Sequence, residues 1–456
     1  MFVARALGSA YDGGAMHLPA GADVRIDKPV SLNMNVRALG QSATLAINDI
    51  SRKLSAEGHT VYRLGLGQSP FPVPQPVVEA LKANAHEKDY LPAAGLPALC
   101  QAVADHHRRR DGVEIRPRDV LVGPGSKELM FLLQLVYYGE LIVPTPCWVS
   151  YVPQAAILGR HVSLVPTSAD DGWHMTAESL ISLCELERDD YRPRILVLNY
   201  PSNPVGSSYT TDELKELAGV ARKFQVIVLS DEIYGPLHHR GEHVSIARYY
   251  PEGTIISSGL SKWCGAGGWR LGTFAFPSSL DWLHAKMAAV ASETYTSVSA
   301  PIQYAAVRAF EGGTAIEQYL CHARRILSGL GQQCVATLTR SHISVTPPVG
   351  AFYLFLDFTP LMDHLARRGI RTSDALCSRL LVETGVAVLP GNAFGRPPRE
   401  LTARLAYVDF DGAKAMAASE TVPLDQPLSD DFVELLCLNV MKATRLLADW
   451  ANGVDS

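Results

Sequence analysis

Between about residues 77 and 276 the chain alternates helical segments with short apolar runs, and few architectures tolerate that rhythm. Helical spacing marks 77–85, 96–109, 127–136 and 211–224. Apolar runs mark 119–122, 141–143, 161–165, 195–199, 226–230, 254–258 and 272–276. Strands separated by helices pair in parallel, because a parallel connection needs a crossover long enough to cover the sheet. The expectation is an α/β protein with a mainly parallel sheet. A helical stretch, 280–330, then leads into a second, smaller unit with strands at 351–356 and 386–389 and a closing helix at 431–450. Ahead of the alternation, Leu45, Ile47, Ile50 and Leu54 recur at helical spacing within 42–57, and 62–66 reads as a short strand ended by Gly67 and Pro70. Residues 1–30 show no period and read as an N-terminal arm.

In such a sheet, ligands sit at the carboxyl ends of the strands. The informative loops therefore follow Val122, Asn199, Ser230 and Ser258. The last carries Ser261-Lys262-Trp263-Cys264-Gly265-Ala266-Gly267-Gly268-Trp269-Arg270. A lysine amine held neutral by desolvation or a neighbouring cation suits imine chemistry, and Arg270 can grip a phosphate in a fork. A surface lysine in a glycine turn is the plain alternative. Asp231 ends an apolar strand in Ser230-Asp231-Glu232-Ile233-Tyr234. It is either a helix N-cap or a buried carboxylate that keeps a ring nitrogen protonated, with Tyr234 bonding the ring oxygen. Asn203 stands in the rigid turn Asn199-Tyr200-Pro201-Ser202-Asn203-Pro204-Val205-Gly206, which is a donor site or simply a turn. Gly123-Pro124-Gly125-Ser126-Lys127 leads a strand into a helix, and free N–H groups at a helix start bind phosphate. Trp148 is a core residue or a flat face for stacking.

Composition narrows the partners. The 456 residues are 47% hydrophobic and 19% charged, with a net charge of -5. That is a globular chain with a large core, and it has no basic block to favour nucleic acid or a membrane surface. The eight cysteines form no C-x-x-C pair or zinc spacing, so no metal is expected, and they read as reduced thiols of a cytoplasmic protein. Residues 1–20 lack the pattern of a signal peptide.

Together these motifs resemble the class I/II aminotransferases of the aspartate aminotransferase fold type, from about Ser42 to Tyr407. Gly350-Ala351-Phe352-Tyr353, Leu389-Pro390-Gly391-Asn392-Ala393-Phe394-Gly395 and Ala403-Arg404-Leu405-Ala406 extend the likeness. The resemblance implies fold type I, with a large cofactor-binding domain at 77–330. A smaller α/β domain is then built from both chain ends, 31–76 and 331–456. It also implies pyridoxal 5'-phosphate bound by Lys262 as a Schiff base, Asp231 on the ring nitrogen, and Asn203 and Tyr234 on the ring oxygen. Gly125, Ser126, Lys127, Ser261 and Arg270 would surround the phosphate end, and Trp148 would stack on the ring. Tyr90, in Asp89-Tyr90-Leu91-Pro92, would reach a neighbouring subunit's phosphate site in a homodimer. Gly67, Asn203 and Arg404 would meet the substrate, with Arg404 on its α-carboxylate. Lys127 contacts an acidic substrate group or merely solvates a helix end.

The chain departs from the family pattern at Gly67-Gln68-Ser69-Pro70-Phe71, where Gly-Glu-Pro-Asp-Phe is usual, and at Gly259, where Ser is common. The stretch 412–428 looks like an addition. The implied activity is amino transfer from an amino acid to a 2-oxo acid. A lyase, cyclase or oxidase reaction on an amino-acid-derived substrate would use the same Lys262 and Asp231. A regulator would need a DNA-binding domain that residues 1–30 are too short to form, and an inactive relative would be expected to have lost Lys262.

Overall fold

The structure is a computed structural model and describes residues 33–37, 39–186, 193–429 and 431–453. The proposed arm at 1–30 lies outside them. Among the described residues the alternating region forms a seven-stranded sheet. Its strands are β1 (Val120–Gly123), β2 (Glu140–Thr145), β3 (Val162–Pro166), β4 (Arg194–Asn199), β5 (Ile227–Asp231), β6 (Thr254–Gly259) and β7 (Gly272–Ala275). Their order is β1-β7-β6-β5-β4-β2-β3. The pairs from β6 across to β3 are parallel, whereas β7 is antiparallel to both β6 and β1. The connection from β6 to β7 has no crossover helix, so the chain returns alongside itself.

The central strands are apolar along their length because helices cover both faces. Ile195 and Val197 of β4 pack on one side with Leu129 and Leu133 of the helix Ser126–Val136. Leu196 and Leu198 point the other way, towards Leu214 and Leu217 of the helix Thr211–Lys223. That alternation is the two-residue period of a strand. The helix Thr211–Lys223 begins in a capping box, Thr210 with Glu213, which satisfies two of its first N–H groups.

The second unit is a four-stranded antiparallel sheet of β8 (Ser344–Val345), β9 (Tyr353–Asp357), β10 (Leu389–Pro390) and β11 (Thr402–Ala406), in the order β10-β11-β9-β8. An early segment of the chain adjoins it. Tyr62–Arg63 pairs in parallel with Val386–Ala387, and the Ala406 N–H donates to the Leu64 carbonyl at 2.8 Å.

Several expected elements change in form. The strand expected at 386–389 divides: Val386–Ala387 pairs with the chain's early part and Leu389–Pro390 with β11. The helical stretch 280–330 is three helices, Asp281–Thr294, Ala300–Glu311 and Thr314–Thr339, the last two separated by Gly312 and Gly313 at positive φ. The closing helix breaks at Cys437, whose φ of -114° and ψ of 36° leave the helical region, giving Phe432–Leu436 and Leu438–Asn452. Helices Tyr151–Ile157 and Ala177–Leu186 fill the β2–β3 and β3–β4 connections, where none was expected. Within 412–428 lies a helix, Gly412–Glu420, fastened by Arg325 to the Ser419 hydroxyl at 2.8 Å and the Val422 carbonyl at 2.7 Å.

Candidate active site

The parallel register aligns chemistry along one edge of the sheet: Asn199 sits opposite Asp231, and Asp231 opposite Ser257. Asp231 is buried and accepts hydrogen bonds from the Tyr151 hydroxyl at 2.6 Å and the Ser257 hydroxyl at 3.3 Å. Burial pushes its carboxyl up to about 6, although both hydrogen bonds pull it back towards the charged form. The N-cap alternative fails, because a turn follows β5 and the next helical segment, Gly235–Leu237, starts after Tyr234.

Lys262 projects into the same space from the turn after β6. Its Nζ donates to the Gly67 carbonyl at 2.7 Å and lies 5.7 Å from the centre of the Tyr234 ring. Burial, then the Arg404 guanidinium, draws the amine down to about 8, with Asp231 acting in the opposite direction. Roughly one such amine in ten is then uncharged at pH 7, against fewer than one in a thousand for an ordinary lysine. Lys262 is half-buried and bonded to Gly67 within the cavity lining, unlike a lysine exposed on a surface turn.

An anion cradle adjoins the lysine. The helix Ser126–Val136 starts at Gly125 (φ 91°) with no side-chain cap, leaving its first N–H groups open. Arg270 takes a left-handed φ of 54° and donates to the Gly267 carbonyl at 3.0 Å and the Pro124 carbonyl at 3.2 Å. A Cβ at Gly125 would meet the Arg270 Nη2 at 2.1 Å, and one at Gly272 would meet the Ser126 nitrogen at 2.1 Å. Glycine at both places lets the guanidinium and the helix start approach a common point.

Behind the cavity wall, against Asn203, stands Arg404. It lies within β11, paired with Phe355 and Leu389. It is 1% exposed, donates to Asn203 Oδ1 at 3.0 Å and to the Gly65 carbonyl, and leaves its Nε without a partner. No carboxylate among the described residues pairs with it. Asn203 is buried and held by its own N–H on Asn199 Oδ1 at 2.7 Å, so its amide nitrogen remains to donate. Tyr234 shares a 2.7 Å hydrogen bond with the Tyr353 hydroxyl. Gly67 is required by packing, since a Cβ there would lie 2.0 Å from that Tyr353 hydroxyl.

Gly67, Ser126, Lys127, Trp148, Asn203, Asp231, Tyr234, Ser261, Lys262 and Arg270 line one cavity of about 700 Å³. The Lys127 ammonium sits 5.1 Å from the centre of the Trp148 ring and forms no ion pair among the described residues. Tyr90 is 90% exposed and stands outside this cavity. Sequence reasoning missed Tyr151, Tyr353, and Leu45 and Asn48 of the helix Ala43–Ala56, which also line or brace the site. Tyr151 opens the helix that follows the turn after Trp148, and no local pattern in the sequence marks it as a site residue.

The sequence profile of the family described as aminotransferase class I and II matches residues 59–408. An aspartate aminotransferase of Geobacillus stearothermophilus is 34% identical over 388 residues, 83% of this chain and 94% of that protein. An aspartate/prephenate aminotransferase of Thermus thermophilus is 32% identical over 370 residues, 80% of this chain and 91% of the other. Among solved structures, a single mutant of the Thermus thermophilus aspartate aminotransferase superposes with a TM-score of 0.77 at 29% identity, covering 92% of this chain and 99% of that one. With a family match over most of its length, this chain belongs to the class I and II aminotransferases, as a pyridoxal phosphate-dependent enzyme that moves an amino group between an amino acid and a 2-oxo acid.

Proposed function

We propose that Arg404 anchors the substrate α-carboxylate, that Lys262 is the covalent attachment point of the cofactor and the proton carrier, and that the preferred amino donor is an acidic amino acid. The residues present fit the cofactor. A depressed amine, a buried acid and a glycine-lined anion cradle face one cavity, and they match its aldehyde, ring nitrogen and phosphate. When bound, the group supplies an electrophilic carbonyl and an electron-accepting ring. Asp231 would hold the proton on the ring nitrogen, Asn203 and Tyr234 would bond the ring oxygen, Trp148 would pack on the ring, and Arg270 with Gly125 and Ser126 would bind the phosphate. Lys262 then moves a proton at the substrate α-carbon.

The observation that carries the substrate reading is the buried Arg404 guanidinium with no carboxylate partner among the described residues. A buried charge left unpaired is costly, and a planar fork suits a carboxylate. Arg404→Lys should keep the cofactor spectrum and the thermal stability. Its affinity for carboxylate substrates should drop by roughly 2–4 kcal/mol, the order for losing a charge-assisted pair in a closed site. A destabilised protein with normal substrate affinity would place Arg404 in the scaffold instead.

Lys127 lines the cavity without an acidic partner, and two relatives are named for aspartate. Both support an acidic donor. Adding single amino acids to the purified enzyme and following the cofactor absorbance identifies the donor directly. Aspartate should convert it at lower concentration than alanine or leucine, and Lys127→Ala should narrow that gap. Equal response to all donors would remove the acidic preference.

The same reading divides the chain into a large unit at 77–330 and a small one from 31–76 and 331–456. It also makes the enzyme a cytoplasmic homodimer, in line with eight unbridged cysteines and the outward-facing Tyr90. Tyr90→Phe and Lys262→Ala chains, each impaired alone, should regain activity when mixed, because a hybrid dimer contains one intact site. An active monomer at every concentration would exclude the arrangement.

A further inference from the structure

Lys262 lines the cavity described above, but the next residue, Trp263, lines a second cavity of about 410 Å³, and no residue faces both. The apolar part of this second cavity is formed by Trp263, Ile316 and Leu320, all buried. Its polar part is made by three guanidiniums. Arg109 donates to the Phe310 carbonyl at 2.8 Å and the Glu311 carbonyl at 3.1 Å, Arg110 to the Gly235 carbonyl at 3.4 Å, and Arg324 through Nε to the Pro236 carbonyl at 2.8 Å. None of the three forms an ion pair within 4 Å among the described residues, and Arg110 and Arg324 stand close enough for each to repel the other's charge. The 26-residue helix Thr314–Thr339 begins at the same place, with Gly313 as its cap and no side chain bonding its first N–H groups. Exposed amides and a positive dipole end add to the attraction for an anion.

The opposing charges set the kind of anion. Glu311 and Glu317 also line the cavity. Glu311 lies 3.9 Å from Arg308, and Glu317 is the acid that Arg324 feels. Burial holds His106 down to about 3, so it contributes no charge at neutral pH. With Arg308, which faces Glu311, four guanidiniums stand against these two glutamates and leave an excess of positive charge, while the apolar floor of Trp263, Ile316 and Leu320 suits a carboxylate on an apolar body better than a phosphate ester. We propose that this cavity is a second ligand site, selective for a small monocarboxylate with a compact apolar body: the body rests on Trp263, and the carboxylate meets Arg110, Arg324 and the helix start.

The test is calorimetric titration of the holoenzyme with 3-phenylpropanoate, with tryptophan fluorescence as a second readout. Arg404→Lys removes the competing carboxylate anchor of the active site, so binding at the second cavity should survive in it within about twofold. In the double variant Arg110→Ala, Arg324→Ala the affinity should fall at least tenfold. Propanoate, which lacks the ring, and 3-phenylpropanol, which lacks the charge, should each bind at least tenfold more weakly. Should the double variant not fold, Arg324→Gln decides by the same criterion with a threefold loss, since its amide can still donate to the Pro236 carbonyl. Absence of saturable binding overturns the proposal. So does binding that is lost in Arg404→Lys yet unchanged in the cavity variants, and inorganic phosphate binding more tightly than 3-phenylpropanoate overturns the ligand class.

Discussion

Lys262→Ala is expected to abolish transamination and to leave no borohydride-reducible attachment of the cofactor to the protein. The amine both bonds the cofactor and carries the proton in the proposed mechanism, so its removal deletes two steps at once, a loss of roughly 10⁴-fold or more. Among the described residues the other lysine lining this cavity is Lys127, and it does not take the place of Lys262. Lys127 is directed at the Trp148 ring, and it joins Arg270 in raising positive potential around Lys262. Stability should move the other way. The folded chain holds this amine at about 8, below its unfolded value, so the folded form binds its proton less tightly. That burial costs stability below about pH 8, and the cost disappears above the unfolded value near 10.5. The Lys262→Ala apoprotein should therefore melt no lower than the parent at pH 7. Mass spectrometry after reduction checks the attachment, and a reduced adduct on another lysine would overturn the assignment.

Asp231→Ala should lower turnover by several orders of magnitude, roughly 5 kcal/mol or more of barrier, because an unprotonated ring cannot take up the developing negative charge. Asp231→Asn should behave alike in turnover while keeping a partner for the Tyr151 hydroxyl, and so separates chemistry from packing. The pH dependence of stability distinguishes them further. Asp231 is held at about 6, above the usual carboxylate range, so the folded form keeps its proton longer than the unfolded chain. Its contribution is fully present below about pH 4 and is lost as pH rises through 6. At pH 8 the Asp231→Asn apoprotein should accordingly match or exceed the parent in melting temperature. Asp231→Ala strands a buried hydroxyl and should fall below it. Turnover near that of the parent in both variants would make Asp231 a structural carboxylate.

The sequence exposed the large sheet because apolar strands and helices alternate there without interruption, and it exposed Lys262, Asp231 and Asn203 because each ends or closely follows a strand. Features made by long-range packing stayed hidden. Tyr151 opens a short helix that contains Pro153, which masks its period, and its role appears only once β4 sets β2 and β5 on either side of it. Arg404 was legible within Ala403-Arg404-Leu405-Ala406, but its isolation from every carboxylate among the described residues depends on where β11 lies against the Asn203 turn. Tyr353 was visible inside a motif, yet its hydroxyl gains meaning only beside Tyr234 and over Gly67. The break at Cys437 is a backbone torsion that no local residue pattern announces.

The reversal of β7 has one more consequence. Asn199 and Asp231 stand at the finish of their strands, and Asn203, Tyr234 and Lys262 beyond them, while Arg270 stands just before the start of β7. Residues 260–271 thus leave the edge and return to it as a single excursion, carrying Lys262 on the outward leg and Arg270 on the homeward one. With the roles proposed above, a cofactor bonded at one leg and gripped by its phosphate at the other acts as a splint across that loop. The loop's length becomes a ruler matched to the molecule it spans, so one residue inserted or removed between Lys262 and Arg270 would spoil the fit of both ends, even with every side chain retained.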